Sequence, residues 1–142
     1  MELKGVQVII YDSNGELYFL ILRRVEGWHG WEFPKTLMHE GEAEEQAVAR
    51  LVDTQVGISK SQLVKKLNST QAFQDGQDTH VFYMYLVSAS MNIPVKNYAS
   101  EKKHDNYLWA MVDSVQHKLT WEPEKIALKE AIDAVREAEE ER

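Results

Sequence analysis

Residues 6 to 24 constrain the fold more than any other stretch of the chain. Val6-Gln7-Val8-Ile9-Ile10-Tyr11 and Leu17-Tyr18-Phe19-Leu20-Ile21-Leu22-Arg23-Arg24 are rich in β-branched and aromatic residues, and Asp12-Ser13-Asn14-Gly15-Glu16 between them carries an Asn-Gly turn signal. The pattern predicts a β-hairpin. A hairpin this apolar needs further strands beside it and helices packed on it, which rules out an all-helical chain.

The remaining elements follow from periodicity and breakers. Ala47, Val48, Leu51, Val52 and Val56 recur at spacings of three and four, which predicts a helix over 43–56 that Gly57 ends. Strands are expected at 62–73 and 80–88, the latter buried, with Asp75-Gly76 in the loop between them. Another strand is expected at 106–112 and a short helical turn at 114–118. A long helix begins near Pro123, with Leu128, Ala131, Ile132 and Val135 on one stripe and a fraying acidic end over 137–141. Gly27-Trp28-His29-Gly30-Trp31-Glu32-Phe33-Pro34-Lys35 reads as an exposed loop entering a short strand. Strands, helix, strands, helix predict an α/β (α+β) fold, a mixed sheet sandwiched between helices, and 142 residues suit a single unit spanning 1–142.

Composition removes several function classes. A net charge of −7 disfavours nonspecific nucleic-acid binding, and the absence of cysteine removes disulfides, thiolate metal sites and cysteine nucleophiles. No apolar run approaches the roughly 18 residues of a membrane span, and no export signal is legible, so a cytoplasmic protein without a membrane anchor is expected.

The run Gly30 to Ile58, Gly-Trp-Glu-Phe-Pro-Lys-Thr-Leu-Met-His-Glu-Gly-Glu-Ala-Glu-Glu-Gln-Ala-Val-Ala-Arg-Leu-Val-Asp-Thr-Gln-Val-Gly-Ile, resembles the Nudix (MutT-like) box and its lead-in strand. Laid on that pattern, the box's first Glu falls on Glu42, its Arg on Arg50, an apolar position on Val52, its second Gly on Gly57 and its final apolar residue on Ile58. Tyr107-Leu108-Trp109 and the long last helix resemble the diadenosine tetraphosphate hydrolase branch. The resemblance implies the Nudix fold and a nucleoside polyphosphate substrate.

The departures bear directly on chemistry. The family's first box Gly is Thr36, its general-base Glu is Leu51, and its two adjacent metal-ligand Glu residues are Thr54 and Gln55; Lys103 stands where the branch carries a further acid. Mg²⁺ takes charged oxygens, and glutamates three and four residues apart let one helical face hold it. Leu51, Thr54 and Gln55 offer no negative charge. The expected outcome is a degenerate box with no catalytic residue at these positions, no cofactor, and hydrolysis lost or weak.

Glu42 and Arg50, with Gly57, are expected to hold the box geometry, through a salt bridge or a loop contact. Glu42 and Glu44 are weak substitute metal ligands; Glu44 lies about 10 Å along the helix from Leu51 at roughly 1.5 Å per residue. Glu40 and Glu45 suit a helix N-terminus without any metal. Lys35, Trp28, Tyr83 and Tyr107 are candidates for substrate binding, with Arg23, Arg24, His80, Trp31 and Phe73 as further candidates. Trp109, Tyr83, Phe19 and Phe82 are more often core than ligand contacts in such strands. His29, His39, His104 and His117 have no metal-ligand spacing.

Three functions compete on this reading. The first is a hydrolytically impaired protein that binds a nucleotide or dinucleoside polyphosphate, in a binding or regulatory role. The second is an active hydrolase using Mg²⁺ or Mn²⁺ on relocated acids. The third is an interaction module with a vestigial pocket, whose partner is another protein or a second copy.

Overall fold

The hairpin signal at Asn14-Gly15 is realised as β1 (Glu2–Asn14) turning into β2 (Glu16–Arg24), in a computed structural model that describes residues 1–141. The two strands pair only near the turn, from Tyr11 opposite Phe19 to Asn14 opposite Glu16. Beyond that they part, and two short strands fill the opening: β3 (Gly30–Glu32) pairs with β2, and β4 (Lys35–Leu37) pairs with β1. The expected loop covers residues 27–29, with Gly27 and His29 exposed, and enters the short strand β3 at Gly30; beyond it Glu32 and Phe33 are fully buried.

Helix α1 (Glu44–Leu51) follows, then β5 (Ser61–Asp75), β6 (Asp78–Ala89), β7 (His104–Met111), α2 (Val112–Lys118) and α3 (Glu122–Glu140). β6 runs parallel to β1 from Glu2 opposite Thr79 to Tyr11 opposite Ser88, the other pairings between these strands are antiparallel, and an isolated parallel bridge joins Trp31 to Leu119. The sheet is mixed. α2 begins at Val112, where a strand residue was expected. The acidic run at the end stays helical to Glu140, because its apolar stripe continues through Ala134 and Val135 onto the sheet.

Both sheet faces are buried, and strand alternation sorts the residues between them. Val6, Val8, Ile10, Leu20, Leu22, Tyr85 and Val87 pack against Ala47, Val48, Leu51 and Val52 of α1. Ile9, Tyr11, Phe19, Ile21, Met84 and Leu86 pack against Val115 of α2 and Ala127, Leu128, Ala131 and Val135 of α3. Gln7 lies on this second face and is fully buried, a polar residue in the otherwise apolar run Val6–Tyr11.

The helix expected over 43–56 widens after Leu51 into π-helical turns over Val52–Val56. Gly57 N–H bonds to the Val52 carbonyl at 2.7 Å, and Thr54 Oγ1 donates to the Arg50 carbonyl at 2.8 Å. The loop before β7 takes the freed carbonyls: Asn97 Nδ2 donates to Asp53, Ser100 Oγ to Thr54 and Asn97 N–H to Val56. These bonds from outside replace the regular helical ladder. Among the described residues, no helix is long and apolar enough to cross a membrane.

Candidate functional site

The box helix presents Leu51, Thr54 and Gln55 toward β4 and the sheet. Leu51 is fully buried in the apolar cluster under α1. Thr54 spends its hydroxyl hydrogen on its own helix. Gln55 is buried, and its Nε2 donates to the backbone carbonyl of Lys35 at 2.9 Å. Asp53 is exposed on the other side.

Glu42 and Arg50 brace the turn into this helix. Arg50 Nε and Nη2 each reach a Glu42 carboxylate oxygen at 2.9 Å, and Nη2 also donates to the Leu37 carbonyl at 2.9 Å. The Arg50 guanidinium, helped by the His39 N–H, holds the Glu42 carboxyl down at about 2. Glu101, in the loop before β7, also acts on Arg50 and raises its pKa.

Glu44 is committed elsewhere. Its carboxylate receives Lys4 Nζ at 2.6 Å, Lys66 Nζ at 2.8 Å and the Tyr85 hydroxyl at 2.5 Å. Burial opposes its charge, but these three donors overcome that and bring its pKa to about 2. Tyr85 is shifted upward in turn, by burial and by this carboxylate.

Lys35 and Trp28 meet on the opposite face of the sheet. Lys35 Nζ lies 5.5 Å from the Trp28 ring centroid, 5.0 Å from Phe73 and 5.9 Å from Phe82. Arg24 stands over Trp28 at 5.7 Å, and a groove of about 490 Å³ is lined by Arg24, Gly27, Trp28, Lys35, Phe73, His80 and Phe82, together with Gln74 and Asp75. Rings, cations and an open groove therefore share one place.

Beneath Lys35 is an ionic cluster. Glu32 is fully buried and binds Lys35, Arg24 Nη1 at 3.2 Å and His104 Nε2 at 2.7 Å. Burial alone would push the Glu32 carboxyl up, but His104 and Lys35 hold it at about 2. Glu124, from the first turn of α3, is also fully buried; its Oε1 accepts Phe33 N–H at 2.7 Å and Gln7 Nε2 at 3.1 Å. Burial pushes its pKa up to about 8, against the pull of the Phe33 N–H.

Tyr83 and Tyr107 are not part of this groove. β6 turns Tyr83 to the α1 face, where Lys4 and Lys66 lie 5.2 and 4.9 Å from its ring, while Tyr107 packs on Tyr98 at 5.0 Å. The alternation that points Phe82 into the groove points Tyr83 away from it. Arg23 also leaves, pairing with Asp105 at 2.8 Å. Trp109 packs partly buried at the α1 side, and Lys103 gives its carbonyl to the Val25 N–H.

Sequence reasoning missed Gln7, Glu32, Gln71, His104 and Glu124. A glutamine inside the apolar run Val6–Tyr11 was a legible signal, because a lone buried polar residue needs a partner. Glu124 carries no such signal, since an acid in a first helical turn is ordinary.

A family model of the NUDIX domain matches residues 1–132. The chain belongs to the NUDIX family. The fold agrees: a NUDIX-family protein from Listeria monocytogenes superposes with a TM-score of 0.78 at 17% identity over 94% of both chains. Ap4A hydrolase of C. elegans, as a binary complex, superposes at 0.74 with 17% identity over 94% of this chain and 98% of that one. The NUDIX domain of Shewanella oneidensis NrtR, complexed with ADP ribose, gives 0.67 at 14% identity over 95% of this chain and 89% of that one. In sequence, RNA pyrophosphohydrolase of Photobacterium profundum is 36% identical over 56 residues, which are 39% of this chain and 30% of that protein. The matched stretch is thus under a third of that relative's length.

Proposed function

We propose that this NUDIX chain binds a nucleotide or dinucleoside polyphosphate in the groove beside Lys35 and does not hydrolyse it by the metal-dependent route of its family. The observation that carries the reading is the closure of the box face: Leu51 is sealed in the core and Gln55 donates its amide to the Lys35 carbonyl.

A divalent ion needs charged oxygens to offset its dehydration, and the donor set here does not fit one. Leu51 has no donor, the Thr54 hydroxyl already serves its own helix, and Gln55 aims an N–H₂ group at β4. Glu42 and Glu44, the acids weighed as substitute ligands, are held by Arg50 and by Lys4, Lys66 and Tyr85. Among the described residues, no three His, Cys, Asp or Glu side chains converge.

The groove supports retained binding. Arg24 and Lys35 stand in the groove over the Glu32 carboxylate, with Glu26 3.9 Å from Arg24 and Asp75 in the lining, while Trp28, Phe73 and Phe82 supply ring surface. An anionic ligand with a flat heterocycle suits that combination. The structural relatives bound to ADP ribose or named for Ap4A make nucleotides the first ligands to try.

The test pairs binding with turnover. Calorimetric titration without divalent ions should show binding of at least one member of a panel containing ADP ribose, diadenosine tetraphosphate and nucleoside triphosphates. Assays of the same panel with Mg²⁺ or Mn²⁺ should show no chelator-sensitive cleavage above background. Cleavage at ordinary enzyme rates, of order 1–10³ s⁻¹, abolished by chelator, would refute the reading, and loss of that cleavage in Glu101→Gln would identify a relocated ligand.

A further inference from the structure

The chain has five asparagines, Asn14, Asn68, Asn92, Asn97 and Asn106. An asparagine side chain can close a five-membered ring onto the backbone nitrogen of the next residue, provided that nitrogen is free and uncrowded. Four of the five are held against it. Ser69 N–H donates to Glu130 Oε1 at 2.8 Å, and Ile93 N–H donates to the Ser90 carbonyl at 3.1 Å. Tyr107 N–H donates to Asn106 Oδ1 at 2.9 Å within the paired part of β7. Asn97 Nδ2 donates to the Asp53 carbonyl at 2.8 Å, and the ring of the next residue, Tyr98, packs on Tyr107.

Asn14 differs on every count. It is exposed, and so is Gly15 after it, which has φ of +78° and open space where a side chain would stand. Among the described residues, no hydrogen bond uses the Gly15 N–H or the Asn14 side chain. Asn14 opposite Glu16 is the last pair of the β1/β2 ladder. Movement there opens one rung at the end of a hairpin, where local opening costs least.

We propose that Asn14 is a modification site at which the chain deamidates itself. The Gly15 nitrogen attacks Asn14 Cγ, so that the N–Cγ bond forms, the Cγ–Nδ2 bond breaks and ammonia leaves with the proton of the Gly15 amide. The product is a succinimide. One water then opens either ring carbonyl, which leaves aspartate or isoaspartate at position 14 with nothing oxidised or reduced. Gly15 favours the closure because no Cβ crowds the ring.

The consequence is local. Either product adds a carboxylate opposite Glu16, and in the strand position 14 shares a face with Asp12. Like charges placed so repel. Isoaspartate also lengthens the backbone by a methylene at that rung. The groove is remote: Gly5 pairs with Phe82, and Asn14 lies nine residues further along β1, about 30 Å at 3.3 Å per residue. The inference therefore stands apart from the reading of the chain as a nucleotide-binding protein.

The test incubates folded wild type, Asn14→Ser and Gly15→Ala at 37 °C, at pH 6 and pH 8.5, with thermal melts to check folding. Anion exchange then separates the more acidic species, and tryptic peptides are mapped by mass spectrometry beside unincubated protein. The peptide Gly5–Arg23 holds Asn14 and no other asparagine. Its conversion should run at least about fivefold faster than that of the other four asparagines, the factor expected where attack elsewhere must first break a hydrogen bond. It should be faster at pH 8.5, since the nitrogen attacks more readily as its proton is removed. Isoaspartyl methyltransferase with labelled S-adenosylmethionine should label this peptide. Asn14→Ser should form no acidic species from it, and Gly15→Ala should form it several-fold more slowly.

Conversion at Asn14 no faster than at the other asparagines overturns the inference. So does an acidic species that persists in Asn14→Ser, or aspartate formed without isoaspartate, which would mean direct hydrolysis rather than ring closure. If Gly15→Ala fails to fold, the peptide map of wild type and Asn14→Ser still decide.

Discussion

Gln55 and Lys35 are joined by a hydrogen bond in which a side-chain amide donates to a backbone carbonyl at 2.9 Å, tying the end of the box helix to β4. The bond turns the Gln55 amide N–H₂ toward β4, while its buried Oε1 has no hydrogen-bond partner among the described residues. It also fixes β4, so Lys35 is held above the ionic cluster of Glu32. The face that the family resemblance marks as chemical is packed against β4 through this bond.

Leu51→Glu should destabilise the fold strongly. Leu51 is fully buried among Val6, Val8 and Val48, and an unpaired carboxylate there costs at least about 3 kcal/mol. Urea denaturation would show the loss as a lower midpoint. Gln55→Glu sets a carboxylate against the Lys35 carbonyl and should lower the melting temperature as well. If the double variant Thr54→Glu, Gln55→Glu regains stability on adding Mg²⁺, the scaffold has kept its shape and lost only its ligands; a melting temperature unchanged by Mg²⁺ would count against that.

Tyr85→Phe should cost about 1.5–3 kcal/mol, the range for a hydrogen bond to a charged group. It removes a bond of 2.5 Å to Glu44 and leaves Lys4 and Lys66 in place. A variant as stable as wild type would show that the two lysines alone satisfy this carboxylate.

Acid should weaken the fold through Glu42 and Glu44. Both carboxyls are held at about 2 in the folded state against an ordinary 4.5. Their stabilising effect is therefore complete above about pH 4.5 and lost as the pH falls toward 2. In Arg50→Ala, which frees Glu42, this acid dependence should be shallower, and the melting temperature at pH 7 lower. An identical pH profile in that variant would contradict the pairing.

Glu124 should act in the other direction. Its folded pKa, about 8, lies above the ordinary 4.5. The folded state therefore holds a proton that the unfolded chain releases, and stability falls between about pH 4.5 and 8. Melts of Glu124→Gln across this window should lack that decline, and a decline as steep as in wild type would show that Glu124 is not its source.

Gly57→Ala should lose about 1–2 kcal/mol, beyond what Gly41→Ala loses. Both glycines have φ of +77°, but a Cβ at Gly41 meets open space, whereas one at Gly57 comes within 2.7 Å of Asn97 Nδ2 and 2.8 Å of the Asn97 backbone nitrogen. Equal losses at the two positions would mean that the loop yields freely.

The local grammar of the chain was legible because it depends on neighbours in sequence. Runs of β-branched and aromatic residues marked β1, β2 and β6, spacings of three and four marked α1 and α3, and the Asn14-Gly15 turn joined the first hairpin. The order of residues 30–58 carried the family, and Arg50 and Glu42 stand eight residues apart on one helix and its entry loop, so their pairing could be weighed beforehand.

Tertiary structure decided the candidate site. Gln7 and Glu124 are 117 residues apart and meet only because β1 and α3 share one sheet face; His104 and Glu32 are 72 apart and meet through the strands flanking β2. No local pattern encodes such a meeting, since register and packing across the sheet set it. The same packing separated Tyr83 from Lys35, because in a strand one step in sequence is a change of face. The sequence therefore determined the elements and the absence of box carboxylates, while long-range packing determined which polar residues were buried together and what surrounds them.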